Sequence, residues 1–390
     1  MKTESRLDLL FSYAFRPLFL LLVVQAIAMV LFWSLTWSGA VPFTWQRNPI
    51  YWHGHEMLNG FAGAAIGGFL LTAVANWTNR PAISGWPLML LCAMWIGGRL
   101  AVGSAVAAAI FDIGYWLLLL MIAANEILRA GNRRNYKLLF VLGAMLLIDA
   151  GWHFAELHQP TLQRQFLWAQ MYLVVLLVTI IGGRVIPAFT GNWLRRQAAS
   201  QQVPAVPAQM PVAFNRMDLL AILAFVGFAL CAVLSAPSIV TLPVGIIAAA
   251  LHALRLSRWL GHLTLSDPLV WMLHLSYAWI PVGIALMALA SFGWVSPSAG
   301  IHALTTGAIA GMIVSVSSRA ALGHTNRALV AHPALTCSIL LLNLTAVLRV
   351  CASVLDMQLL ISLSALSWIA AFLCYGYVFA PILLGPPAKA

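Results

Sequence analysis

Apolar residues run along this chain in long stretches, broken by short polar or Pro/Gly-rich segments. Stretches near 17–37, 54–77, 86–109, 112–129, 137–157, 166–189, 217–236, 238–257, 268–292, 297–321, 333–354 and 358–384 approach or exceed the length needed to cross a bilayer. That length is about 20 residues for a helix rising ~1.5 Å per residue. The pattern predicts an all-α polytopic membrane protein of twelve transmembrane helices. The shortest breaks fall near Phe111 and Pro237. The first run follows Lys2, Arg6 and Arg16 and is too long for a signal-peptide core, so it reads as a retained helix.

One polar, Pro-rich tract, QAASQQVPAVPAQMPVAFN at 197–215, is the single long linker. It divides the chain into a first six-helix half, 1–196, a linker through residue 216, and a second six-helix half, 217–390. A faint repeat supports the halves: Asn76-Trp77-x-x-Arg80 and Asn192-Trp193-x-x-Arg196 each close an even-numbered helix.

Composition agrees with a lipid solvent. Of 390 residues 62% are hydrophobic and 8% charged, where soluble domains carry about 25% charged residues. The net charge of +11 lies between apolar runs, as topology signals do, and there is no soluble basic-aromatic module for nucleic acid. Loops after even-numbered helices hold Arg80, Arg129, Arg133, Arg134, Lys137, Arg195, Arg196, Arg216, Arg255, Arg258, Arg319 and Arg327. Loops after odd-numbered helices hold Arg47 and Arg164. Both termini are therefore expected on the cytoplasmic side. The five cysteines lie in apolar runs without C-x-x-C or C-x-x-C-H, which excludes a disulfide framework, a thiolate zinc site and covalent haem attachment.

Ionisable side chains inside such runs are costly to bury, and each one asks for a reason. Ten histidines stand against ten carboxylates, and neutral imidazole is the commonest protein ligand to metals and to haem iron. The segment YWHGHEM, residues 51–57, opens the second run. On a helix His53 and His55 point about 200° apart and serve different partners; a non-helical turn at Gly54 lets them converge. Glu56 shares a helical face with His53, and that face continues through Gly60, Gly63 and Gly67, either a packing seam or room for a flat ligand. The fifth run ends LLIDAGWHFAELH, which groups Asp149, His153 and Glu156 on one face, either a carboxylate-oriented ligand or proton relay, or a hydrated helix end.

His274 lies within the ninth run, with Tyr277 one turn on, while His302 and His324 lie near opposite ends of the tenth. One set of histidines therefore gathers at the outer face (His53, His55, His153, His302 and His158) and another at the inner face (His252, His274 and His324). His262 and His332 read as loop residues. Two centres accommodate this better than one. Arg99 in WIGGRLA and Arg184 in IIGGRVIPAF read as buried guanidiniums for carboxylates, either haem propionates or the chain's own Glu126, Asp149 or Asp112.

Taken in order, FRPLFLL, WHGHEMLNGFAGAAIGGFLLTAVANWT, WIGGRLA, GGRVIPAFTGNWL, MLHLSYAWIPVG and HALTTGAIAGM…SSRAALGHTNR resemble the NnrS family over nearly the whole chain. The first, second, third, sixth, ninth and tenth runs carry most of the likeness, and Asn326 stands where glycine is expected. The resemblance implies a bacterial inner-membrane protein of about twelve helices holding haem, of the b type, and copper. It also implies a role in nitric oxide responses, in denitrification or nitrosative-stress defence. His53, His55, His274, His302 and His324 match the family pattern as metal ligands, and His153 matches less closely. Arg99 and Arg184 join the cofactor-binding set; Glu56, Asp149, Glu156 and Tyr277 are expected to orient ligands or carry protons. A reductive reaction needs electrons from a quinol or another donor, since the chain holds no soluble redox module. Two other readings stand beside this one: a twelve-helix transporter using Arg99 and Arg184 for an anionic substrate, and a non-catalytic sensor or copper-handling protein.

Overall fold

The computed structural model describes residues 5–45, 47–200 and 209–388. Residues 201–208, the centre of the expected linker, and Lys2 lie outside the described residues. Helices account for the described secondary structure, with no strand among the described residues. Among the described residues eleven helices are long and apolar enough to cross a membrane. They are α1 (Phe15–Trp37), α2 (Pro49–Thr78), α4 (Ala105–Arg129), α5 (Tyr136–His158), α6 (Gln163–Ser200), α7 (Arg216–Val233), α8 (Ser238–Ser257), α9 (Pro268–Ser291), α10 (Pro297–His324), α11 (Pro333–Leu355) and α12 (Gln358–Leu384). Between α2 and α4 the apolar helix α3 (Trp86–Leu100) has only 15 residues.

That shortfall departs from the run expected over 86–109. Ala101 ends α3, and Ser104 starts a new helix by accepting a hydrogen bond from the Ala107 amide at 3.2 Å. A hydroxyl at that position satisfies one of the amides that a helix start leaves open. Phe111 and Asp112, read as a boundary, therefore lie inside α4. Similar caps set other starts: Asn48 before Pro49, Asp267 before Pro268, Ser296 before Pro297 and His332 before Pro333.

Among the described residues two of these membrane-length helices depart from α geometry. Residues Glu56–Ala62 of α2 and Ala303–Ala310 of α10 form wide i→i+5 turns. Such segments shift the angular phase of everything downstream and often mark functional positions.

The chain sorts into two compact units. One comprises Met1–Leu173, Ser317–Ala328 and Phe372–Ala390; the other comprises Val174–Val316 and Leu329–Ala371. In the first unit α1 lies along α2, where a methyl group at Gly60 would sit 2.7 Å from the Gln25 side chain and one at Gly67 would sit 3.3 Å from the Leu18 side chain. The glycine stripe therefore acts there as a packing seam. Arg16, almost fully buried, donates to the Leu383 and Gly385 carbonyls at 2.8 Å each, tying the start of α1 to the end of α12. A cation at a helix C-terminus satisfies carbonyls that have no partner within the helix.

In the second unit α7, α8 and α9 pack through a fully buried ion pair. Arg255 Nε lies 2.6 Å from Asp218, and another guanidinium nitrogen donates to the Thr179 carbonyl and the Tyr277 hydroxyl, each at 2.9 Å. Arg255, counted above as a loop charge, is thus inside the protein. Gly182 and Gly183 make room: a methyl at Gly183 would collide with the Arg255 guanidinium.

Candidate metal centre

His55 closes the first turns of α2, next to the wide segment. Trp152 of α5 stacks on its ring at 3.9 Å, interplanar angle 18°. Its Nε2 lies 2.8 Å from Oδ1 of Asp149. A carboxylate only accepts, so we assign the proton to Nε2 and the lone pair to Nδ1. That Nδ1 is buried and has no hydrogen-bond partner.

His153 follows Asp149 by one turn of α5, as the helical spacing predicts. Its Nε2 lies 3.4 Å from Oδ2 of Asp112 and 3.9 Å from Oδ2 of Asp149. Its Nδ1 lies 3.8 Å from Glu156, and neither ring nitrogen completes a hydrogen bond. Asp112 reaches in from α4, with Oδ1 held by Arg99 at 2.6 Å and Oδ2 making no hydrogen bond. One potential ligand atom from each of His55, Asp112 and His153 lies within 4.8 Å of the other two. Metal–donor bonds of about 2.0–2.2 Å put neighbouring donors ~3–4 Å apart, so a small contraction would close the three around an ion.

The surroundings hold these groups from behind. Arg99 bridges Asp112 and Glu56, each at 2.6 Å, and Gln25 donates to Glu56 at 3.0 Å. Arg47, from the segment before α2, grips Glu156 with two bonds of 2.7 Å. Setting that pair aside, three carboxylates (Glu56, Asp112, Asp149) face one guanidinium (Arg99). With acids ionised and imidazoles neutral the cluster carries two uncompensated negative charges. Buried charge at that level demands counter-charge, either a divalent cation or two protons on the imidazoles.

Other residues singled out in the sequence have different surroundings. His53 stacks on Trp33 at 4.5 Å and takes no part in the cluster, in keeping with its angular separation from His55. Arg99 meets the chain's own acids, one of its two alternatives. Arg184 is exposed, contrary to the buried guanidinium expected: α6 runs on to Ser200, and position 184 falls on its outward face. His324 sits beside Tyr13 and Phe15, at 5.8 and 5.7 Å between ring centres.

His274 Nε2 lies 2.8 Å from the Thr190 hydroxyl, which itself donates to the Ile186 carbonyl. Its Nδ1 therefore keeps the lone pair and faces Gly261, where a methyl would lie 2.6 Å away. His302 Nδ1 lies 2.7 Å from the Ser298 carbonyl, which presents Nε2 as the lone-pair nitrogen. Tyr277 joins His252 at 2.8 Å and Arg255, within the ion-pair core of the second unit.

Asp112 was seen in the sequence only as a partner for arginine. The signal for more was its isolation: an acid among the apolar residues of α4 with no basic neighbour on its own helix.

The family described as NnrS protein matches the chain over residues 9–386. No curated protein matches it.

Proposed function

Starting from a chain that belongs to the NnrS family, we propose a multi-pass membrane metalloprotein of the bacterial inner membrane that binds or processes nitric oxide or its products. Its role would lie in denitrification or nitrosative-stress defence. In this reading both termini are cytoplasmic and the chain is built of two six-helix halves. The observation that carries the reading is the convergence of unsatisfied buried donors on His55, Asp112 and His153.

Those residues fit a bare ion. Two imidazoles and a carboxylate suit a divalent first-row metal such as copper or iron. They do not fit haem, whose iron takes one or two side-chain ligands and not three converging on one point. His302 would suit haem iron better, because a carbonyl fixes its tautomer. His274 would not, because its lone pair faces the Gly261 backbone.

A redox-active metal held by His55, Asp112 and His153 would supply binding of, and electron transfer to, a small uncharged ligand. The chain's residues do the rest. Asp149 orients His55. Arg99 fixes Asp112 and balances Glu56. Arg47 and Glu156 close the approach beside His153, and Trp152 keeps water off the His55 face. Electrons for a reduction would come from a quinol or another donor.

The test is metal analysis with absorption and electron paramagnetic resonance spectra of the purified protein. Near-stoichiometric metal in the wild type and its loss in His55→Ala, His153→Ala and Asp112→Asn is the expected result. Unchanged metal content in all three would overturn the assignment.

The paired wide segments of α2 and α10 favour a second reading, since transporters build substrate sites at interrupted helices. Uptake of an anion by sealed vesicles that survives loss of His55 and His153 would select it.

A further inference from the structure

The construction of α2 recurs in α10. Each helix begins with a side-chain cap and a proline, Asn48–Pro49 and Ser296–Pro297. Each runs as α-helix to a histidine, His55 or His302, and then opens into a wide segment. Each returns to α-helix at a glycine, Gly63 or Gly311. The fifth residue of each wide segment is a glycine lying against a tryptophan: Trp95 donates to the Gly60 carbonyl at 2.9 Å, and the Trp279 ring covers Gly307. In each case the next helix in the chain carries an arginine, Arg99 on α3 and Arg349 on α11.

The two copies differ in charge. Arg99 is answered by Glu56 and Asp112. In the second copy Ala303 stands where Glu56 follows His55. Among the described residues the Arg349 side chain makes no hydrogen bond, ion pair or ring contact. The nearest acid along the chain, Asp356, is exposed just past the end of α11 and forms no ion pair among the described residues.

Register places Arg349 beside His302. Helices α10 and α11 are consecutive, joined by residues 325–332, and run antiparallel. Ser353 donates to Ser298 at 3.1 Å. One turn inward from that contact lie His302 on one helix and Arg349 on the other. Arg349 is six residues from the end of α11, ~9 Å along the helix, which is within reach of the headgroup region.

We propose that Arg349, with His302, Ser298 and Ser353, forms a second binding site whose ligand is an oxyanion. The counter-charge that the protein supplies to Arg99 comes here from the ligand. A guanidinium fork matches the paired oxygens of phosphate or carboxylate. The Ser298 hydroxyl, which accepts from Ser353, adds a donor, while His302, its Nδ1–H committed to the Ser298 carbonyl, lines the site. The group belongs either to an anionic lipid headgroup or to a soluble anion. This site does not rest on the metal reading of His55, Asp112 and His153.

The experiment uses the full-length protein in detergent. Native mass spectrometry scores retention of phosphatidylglycerol against phosphatidylcholine, and calorimetric titration uses inorganic phosphate and acetate. Wild type should hold at least one of these anions, and Arg349→Gln should weaken it by about tenfold or more. Arg349→Lys, which keeps the charge without the fork, should fall between and serves if the glutamine variant does not fold. Preferential phosphatidylglycerol retention assigns the lipid, and binding of phosphate or acetate alone assigns a soluble anion. Equal binding by wild type and both variants, or no anion held by wild type, overturns the proposal.

Discussion

His55 and Asp149 meet across α2 and α5 with 2.8 Å between Nε2 and Oδ1, and this bond determines which imidazole nitrogen is left with its lone pair. A carboxylate behind a ligating imidazole fixes its tautomer and raises its basicity. Asp149→Ala should therefore weaken metal binding by about 10–100-fold while leaving the helices intact. Competition against a chelator of known affinity measures the change. Affinity equal to wild type would show that Asp149 does not orient the ligand.

Protons and metal compete for the same lone pairs. Metal binding needs neutral His55 and His153, so acidification should expel the ion and alkalinisation should tighten it. The apparent affinity should fall by up to about tenfold per pH unit for each imidazole that must lose a proton. Metal retention followed across a pH series tests the sign, and retention independent of pH would contradict a two-histidine site.

The two histidines of the H-x-H motif should separate cleanly. His53→Ala removes a ring stacked on Trp33 and should leave the metal content of the centre unchanged. His55→Ala should abolish it. Equal losses in both variants would mean that the motif acts as a unit and that the tryptophan stack is not the role of His53.

Arg47 and Glu156 are both more than nine-tenths buried in their side chains. Arg47→Gln leaves a buried carboxylate without its cation, which costs about 3–5 kcal/mol when a buried pair is broken. The variant should melt at a lower temperature and release its metal faster to an added chelator. Unchanged release kinetics would remove the pair from any role in closing the centre.

Gly183→Ala tests the second unit. The added methyl would collide with the Arg255 guanidinium and displace it from Asp218, Thr179 and Tyr277. Overpacking alone costs about 1–3 kcal/mol. Thermal unfolding in detergent should fall markedly, and a neutral result would show that the helix backbone yields there.

Much of this architecture was legible in the sequence because lipid imposes one rule on every span. Run lengths located the twelve helices, and i,i+4 spacing placed Asp149 beside His153 on α5. The boundary near Asp112 was misread because Gly103 and Ser104, a turn and a cap, sit inside a continuous apolar stretch that hydropathy alone does not divide. The partnership of Asp112 with His153 and His55 joins three helices, and no period within one helix encodes it. The orientation of Glu56 toward Arg99 was hidden for a different reason. A helical wheel assumes a constant angle per residue, and the wide turn beginning at Glu56 does not keep it.

That wide turn also sets how the chain would bear a change in length. Segment 56–62 holds more backbone per revolution than the helix on either side of it. At about 100° per residue an ordinary α-helix covers the same rotation with roughly one residue fewer. Removing one residue there would let the coil tighten to ordinary pitch while the stretches before and after it keep nearly their present relative facing. The loss would fall on the segment itself, where Glu56 meets Arg99 and Gly60 meets Trp95.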